Sequence, residues 1–72
     1  MDEIEEGVRQ HEARVNFGRN LRLKALEPAV REMCLHNIRE MKDFPGYVDG
    51  WNETDATLVR DGWDESLPVE GK

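Results

Sequence analysis

The sequence PAVREMCLHNIREM, residues 28–41, decides the fold class of this chain. Its apolar residues recur with the 3.6-residue period of an α-helix, and charged or polar residues occupy most of the remaining positions. Pro28 suits the first turn of this helix, because the N–H group that proline lacks would have no partner there. One side of the helix is predicted to be apolar, and its members are Val30, Met33, Cys34, Ile38 and Met41.

A polar residue, Asn37, interrupts this apolar face. An amide in a helical seam can fix the register or number of associating helices, and it can equally bond a neighbouring loop carbonyl. Small domains usually need a disulfide, a metal or self-association, and the single cysteine excludes an internal disulfide. We therefore predict self-association, for example as a homodimer, through Val30, Cys34, Asn37, Ile38 and Met41.

The segment before Pro28 is also predicted to be helical, but in two pieces. Its first apolar face is formed by Ile4, Val8 and Val15. Continuing that face would place Arg19 and Arg22 in the core, so we expect the helix to break near Phe17-Gly18.

The chain after Phe44-Pro45-Gly46 repeats a short phrase, DGWNET at residues 49–54 and DGWDES at residues 61–66. Asp-Gly pairs turn easily, because glycine accepts a positive φ and aspartate can bond its own backbone. Between the copies we predict a short helix, with Thr54 as its N-cap and Gly62 just beyond its end. A strand through residues 57–59 is the alternative. Residues 64–72 are expected to be frayed, with Leu67 and Val69 as their apolar anchors.

These patterns together predict one small, mainly α domain. A helical hairpin or broken-helix scaffold would occupy residues 1–45, and a turn-rich acidic segment with one short helix would occupy residues 46–72. The chain has 72 residues, of which 38% are apolar and 36% charged, so its core is expected to be thin.

Charge divides the chain into three blocks that sum to −6. Residues 1–6 carry four acids and no base, residues 7–42 carry eight bases and four acids, and residues 43–72 carry two bases and eight acids. The N-terminus is acidic rather than basic and then apolar, so no signal peptide is indicated, and no apolar run is long enough to cross a bilayer. We expect a cytoplasmic protein.

No motif for catalysis, a cofactor or a metal is evident. Cys34 and His36 are two residues apart on a helix, so their side chains diverge and cannot pair, and the cysteine is expected to be buried. The acids around residues 49–55 could attract Ca²⁺, but their spacing differs from that of an EF-hand, and acidic loops are usually just solvated. We therefore predict a non-enzymatic protein without a cofactor.

The tryptophans point instead to protein binding, since Trp is enriched at the energetic centres of interfaces. We predict that aromatic rings among carboxylates bind a protein with a basic surface, through Tyr47, Asp49, Trp51, Glu53, Asp61, Trp63, Asp64 and Glu65. The alternative is that one or both indoles fill the thin core. In style rather than in any motif, such a short acidic chain resembles the small accessory proteins of bacteriophages. The resemblance implies an inhibitor that would occupy a basic or nucleic-acid-binding surface of a larger partner.

A second hypothesis is a nucleic-acid-binding regulator whose acidic tail masks the basic region 9–24. Bases in that region could contact phosphates, and they are Arg9, His11, Arg14, Arg19, Arg22 and Lys24. The net negative charge and the spread of these bases around the helix disfavour direct binding to nucleic acid.

Overall fold

The computed structural model of the chain describes the backbone of residues 3–69 and the side chains of residues 9–69. Three α-helices follow one another: α1 is Glu3–Lys24, α2 is Pro28–Glu40 and α3 is Tyr47–Arg60. No strand occurs among residues 3–69, and the predicted mainly α fold is confirmed. No helix in this part of the chain is long and apolar enough to span a membrane. The predicted core positions Ile4 and Val8 lie outside the residues whose side chains are described.

One hydrophobic core joins all three helices. Its buried members are Leu21, Ala25, Cys34, Leu35, Ile38, Val48, Trp51 and Val69. Helix α3 packs most extensively against α1, while α2 makes fewer contacts with either of them. The core therefore lies where α1 crosses α3, and α2 and the C-terminal tail close it.

Helix α1 is continuous, so the predicted break at Phe17-Gly18 is wrong. Gly18 lies where α3 crosses: a Cβ atom there would overlap the carbonyl oxygen of Tyr47. Gly50 of α3 makes the reciprocal approach, and a Cβ there would overlap the carbonyl oxygen of Val15. A glycine in a helix costs about 1 kcal/mol relative to alanine, and here the two glycines let the helix backbones approach closely.

Helix α3 begins at Tyr47 rather than at Thr54, so the first Asp-Gly pair lies inside a helix and the predicted turn there is wrong. The other end agrees with the sequence. Gly62 has φ +78°, its N–H donates to the Val59 carbonyl, and the Trp63 N–H donates to the Leu58 carbonyl. This pattern is a Schellman motif, in which a glycine in the left-handed region ends the helix. The alternative strand through residues 57–59 is also excluded.

Helix α2 begins at Pro28, as predicted, but its buried side is rotated relative to the predicted apolar face. Leu35 is buried, whereas Met33 is 48% exposed. Cys34 and Ile38 have no exposed surface, so they cannot form part of a contact surface between two folded copies. The predicted self-association face is wrong at these two positions, and its other members, Val30, Asn37 and Met41, are only partly exposed.

Candidate functional site

The C-terminal tail, which we define as residues 64–69, is bound by side chains of α3. Asp55 accepts a hydrogen bond from the Leu67 N–H at 2.7 Å, and the Trp51 indole N–H donates to the Leu67 carbonyl at 2.6 Å. Asn52 bonds Val69 twice: its amide nitrogen donates to the carbonyl at 2.8 Å, and its oxygen accepts from the N–H at 3.0 Å. The fraying expected for residues 64–72 is wrong for residues 64–69, because these bonds fix their backbone, while residues 70–72 lie outside the described part of the chain.

A buried arginine joins α1 to the tail. Arg22 has no exposed surface, and its Nε donates to Asp55 at 2.9 Å. Its two terminal nitrogens donate to Asp64 at 3.1 Å and to the Glu65 carbonyl at 3.0 Å. The guanidinium also lies 5.6 Å from the centre of the Trp51 ring. Removing one partner of a buried ion pair typically costs about 3–5 kcal/mol, so Arg22 is a structural residue.

Arg31 of α2 holds the same tail from the other side. Its terminal nitrogens reach Asp64 at 3.1 Å and Glu65 at 3.3 Å, and its Nε donates to the Ala25 carbonyl. Burial disfavours the charged form of Asp64, but the Glu65 N–H and the two arginines outweigh burial, so the pKa of Asp64 lies below its ordinary value. Asp64 is therefore ionised and clamped between two helices.

Trp63 lies outside this network and is 74% exposed. The residue before it is the left-handed Gly62, and the residue after it is the clamped Asp64. Its own N–H is bonded to Leu58. The backbone that carries this indole is thus fixed on both sides while the ring itself faces solvent.

The structure separates the predicted partner-binding residues into three groups, which are buried, partly buried and exposed. Trp51 belongs to the core, with no exposed surface, so its predicted display is wrong; its N–H is satisfied by Leu67 and its ring fills the crossing of α1 and α3. Tyr47 and Asp64 are partly buried. The exposed group consists of Asp49, Glu53, Asp61, Trp63 and Glu65.

Most acids of the C-terminal third form ion pairs within the chain. Besides Asp55 and Asp64, the exposed Glu53 pairs with Arg19 at 2.8 Å and Asp61 with Arg60 at 3.4 Å. Asp49 makes no ion pair with the described residues. The negative charge of this surface is therefore smaller than the count of carboxylates predicts.

A second exposed apolar surface was not predicted from the sequence. The Tyr47 ring makes edge contacts with Phe17 and Phe44, at centroid distances of 5.6 Å and 6.4 Å, and these phenylalanines are 45% and 55% exposed. A shallow groove of about 280 Å³ between α1 and α2 adjoins Phe17 and Met33. No sequence signal identifies this surface. Met33 belongs to the predicted apolar face of α2, and only the structure shows that it lies outside the buried side of that helix.

Cys34 and His36, the two α2 residues considered above for a chemical role, lie in different environments. Cys34 is buried, and desolvation raises the pKa of its thiol. His36 points to solvent and lies 3.2 Å from Glu40, as expected for a solvated, pairing residue. No group of three or more His, Cys, Asp or Glu residues in this part of the chain is placed to hold a metal ion.

Comparison of the chain with protein-family models, with curated proteins and with solved structures gives no match in any of the three. The functional interpretation therefore rests on the environments of the described residues, chiefly those of Trp51 and Trp63.

Proposed function

We propose that this protein is a non-enzymatic interaction module that binds a larger protein through Trp63. The observation that carries the proposal is the 74% exposure of this indole on a backbone fixed by Gly62 and Asp64. A large aromatic ring that the core does not use, and that is presented in one position, is typical of an interface anchor.

The energetics of burial favour this role. Covering the exposed part of an indole, roughly 150 Å², releases about 4 kcal/mol before the costs of association. Part of that cost is the ordering of flexible side chains and loops at an interface. Because hydrogen bonds on both sides of Trp63 already order its backbone, little further ordering of this turn is needed.

The charges around Trp63 indicate the kind of partner. Asp61 and Glu65, two residues before and after Trp63, are exposed and pair within the chain with Arg60 and Arg31, so the acidic character of the surface rests mainly on the net charge of −6 of the whole chain. Such a surface complements a basic one and accelerates encounter with it. If the basic surface is one that binds nucleic acid, occupying it would make this protein an inhibitor of its partner.

Direct binding of nucleic acid by region 9–24 is the weaker candidate. Within that region Arg19 pairs with Glu53, and Arg22 is buried against Asp55 and Asp64. Exposing Arg22 to a phosphate would require the tail and part of the core to open.

Affinity capture from a lysate of the native host, using the intact protein and its Trp63→Ala variant, tests the proposal. We expect at least a tenfold loss of the captured partner with Trp63→Ala, and a further loss when salt is raised. Phe44→Ala is the matched control, because Phe44 is also an exposed aromatic residue but lies on the other apolar surface. Equal capture by the intact protein and Trp63→Ala would contradict the proposal.

A further inference from the structure

We propose that Trp51, Asn52 and Asp55 form a binding site for an extended Ser-Leu-Pro-Val segment, which the chain fills with its own residues 66–69 and can also fill with those of a second copy. This inference does not rest on the partner proposed for Trp63, because it is argued from the contacts of residues 66–69 with α3.

The site recognises the backbone of the segment. The N–H and C=O groups of both Leu67 and Val69 are bonded to side chains of α3. The residue between them, Pro68, has no N–H group to satisfy. Since hydrogen bonds to the main chain do not depend on how the segment is connected to α3, a segment from another molecule can make the same bonds.

Side chains of the segment add selectivity. The Ser66 hydroxyl donates to the second oxygen of Asp55 at 3.1 Å. Val69 is buried in the core and Leu67 packs against it, whereas Pro68 is exposed. The site therefore fits a hydroxyl, an apolar residue, an exposed residue that needs no N–H partner, and a second apolar residue, in that order.

A second copy is the occupant that the sequence supports, because its residues 66–69 are identical to the segment already seen in the site. A tethered segment has an effective concentration of the order of millimolar, so a separate tail at low concentration cannot displace it. A reciprocal exchange avoids this competition, since two copies that swap tails keep every bond to α3. The exchange requires that the turn at Gly62 open in both copies, and that Asp64 and Glu65 carry their contacts with Arg22 and Arg31 over to the other copy.

The turn at Gly62 provides the decisive experiment. A Cβ atom at this position would meet no atom within 4 Å, so Gly62→Val acts chiefly through the positive φ, which β-branched residues disfavour. We expect Gly62→Val to raise the association constant of the dimer by about tenfold or more, because opening the turn relieves the backbone strain in both copies. Gly62→Asn is the matched control, since asparagine tolerates this region, and it should stay close to the intact protein. Sedimentation velocity over a concentration series measures both.

A mixing experiment asks whether the tail itself is exchanged. Asn52→Ala removes both bonds to Val69 but keeps an intact tail, and the double variant Leu67→Asp, Val69→Asp keeps an intact site. In the mixture, the intact tail of one variant can enter the intact site of the other. Native mass spectrometry should therefore show a heterodimer in the mixture, whereas each variant alone should remain monomeric. Adding Asn52→Ala to the double variant removes the intact site and should abolish the heterodimer. If Gly62→Val remains monomeric at millimolar concentration, the proposal is overturned, whether or not the tail variants fold.

Discussion

The two copies of Asp-Gly-Trp have the same local sequence but differ in backbone conformation and in the burial of their tryptophans. In the first copy, Gly50 lies inside α3 and Trp51 is fully buried; in the second, Gly62 ends α3 and Trp63 is 74% exposed. Gly50 lets the backbone of α3 approach α1 closely, whereas Gly62 adopts a positive φ that other residues disfavour. An Asp-Gly pair therefore permits a turn, and the packing around it decides whether the turn forms.

Replacing each tryptophan by alanine should give the largest contrast between the copies. Trp51→Ala removes a buried ring and its bond to Leu67, so it should lower the free energy of unfolding by about 3–5 kcal/mol. Trp63→Ala should change it by less than about 0.5 kcal/mol. Urea denaturation followed by circular dichroism measures both, and equal losses would contradict the assignment of the two rings.

Replacing each glycine by alanine should give the next contrast. Gly50→Ala places a Cβ atom against the Val15 carbonyl, and we expect a loss of about 3 kcal/mol because backbone must move. Gly62→Ala meets no atom and should cost about 1 kcal/mol through its positive φ alone. Thermal unfolding of both variants measures the two losses of stability. A larger loss for Gly62→Ala than for Gly50→Ala would contradict the assignment of close approach to Gly50.

The clamp that follows the second copy should make stability depend on acid pH. Because the folded-state pKa of Asp64 lies below its ordinary value, its contribution is complete above that value, about 3.9, and is lost as pH falls through the folded-state pKa. Asp64→Asn should reduce this dependence, and Asp49→Asn, which removes an acid without an ion pair to the described residues, should not. Denaturation midpoints from pH 6 down to pH 2 provide the measurement, and an unchanged profile for Asp64→Asn would exclude the clamp as its source.

Intrinsic fluorescence should report the different exposure of the two tryptophans with the smallest change in stability. Trp63→Phe leaves only the buried Trp51, so the emission maximum should shift to the blue and acrylamide quenching should fall. The melting temperature should change little, because the Trp63 ring is mostly in solvent. Red, strongly quenched emission from Trp63→Phe would show that Trp51 is exposed.

Local signals predicted the parts of the fold that local physics determines. Pro28 at the start of α2 and Gly62 at the end of α3 follow from backbone chemistry alone. The continuity of α1 could not be predicted in this way, because Gly18 is explained by the carbonyl of Tyr47 on another helix.

The candidate site was less predictable for the same reason. A core position for Arg22 could not be predicted from local sequence, since its partners Asp55 and Asp64 lie 33 and 42 residues away. The flanking residues of the two tryptophans are nearly identical, so the sequence alone could not assign one to the core and the other to the surface.

The burial of Arg22 also constrains how the chain is made. A ribosome synthesises this arginine well before the carboxylates that neutralise it, so the nascent α1 carries an exposed positive charge at the place where the finished protein has its interior. Desolvating that charge without its counterions would be strongly unfavourable. The native core therefore closes only after the last of these acids has emerged, and folding of this protein completes after its tail has been synthesised rather than progressively from the N-terminus.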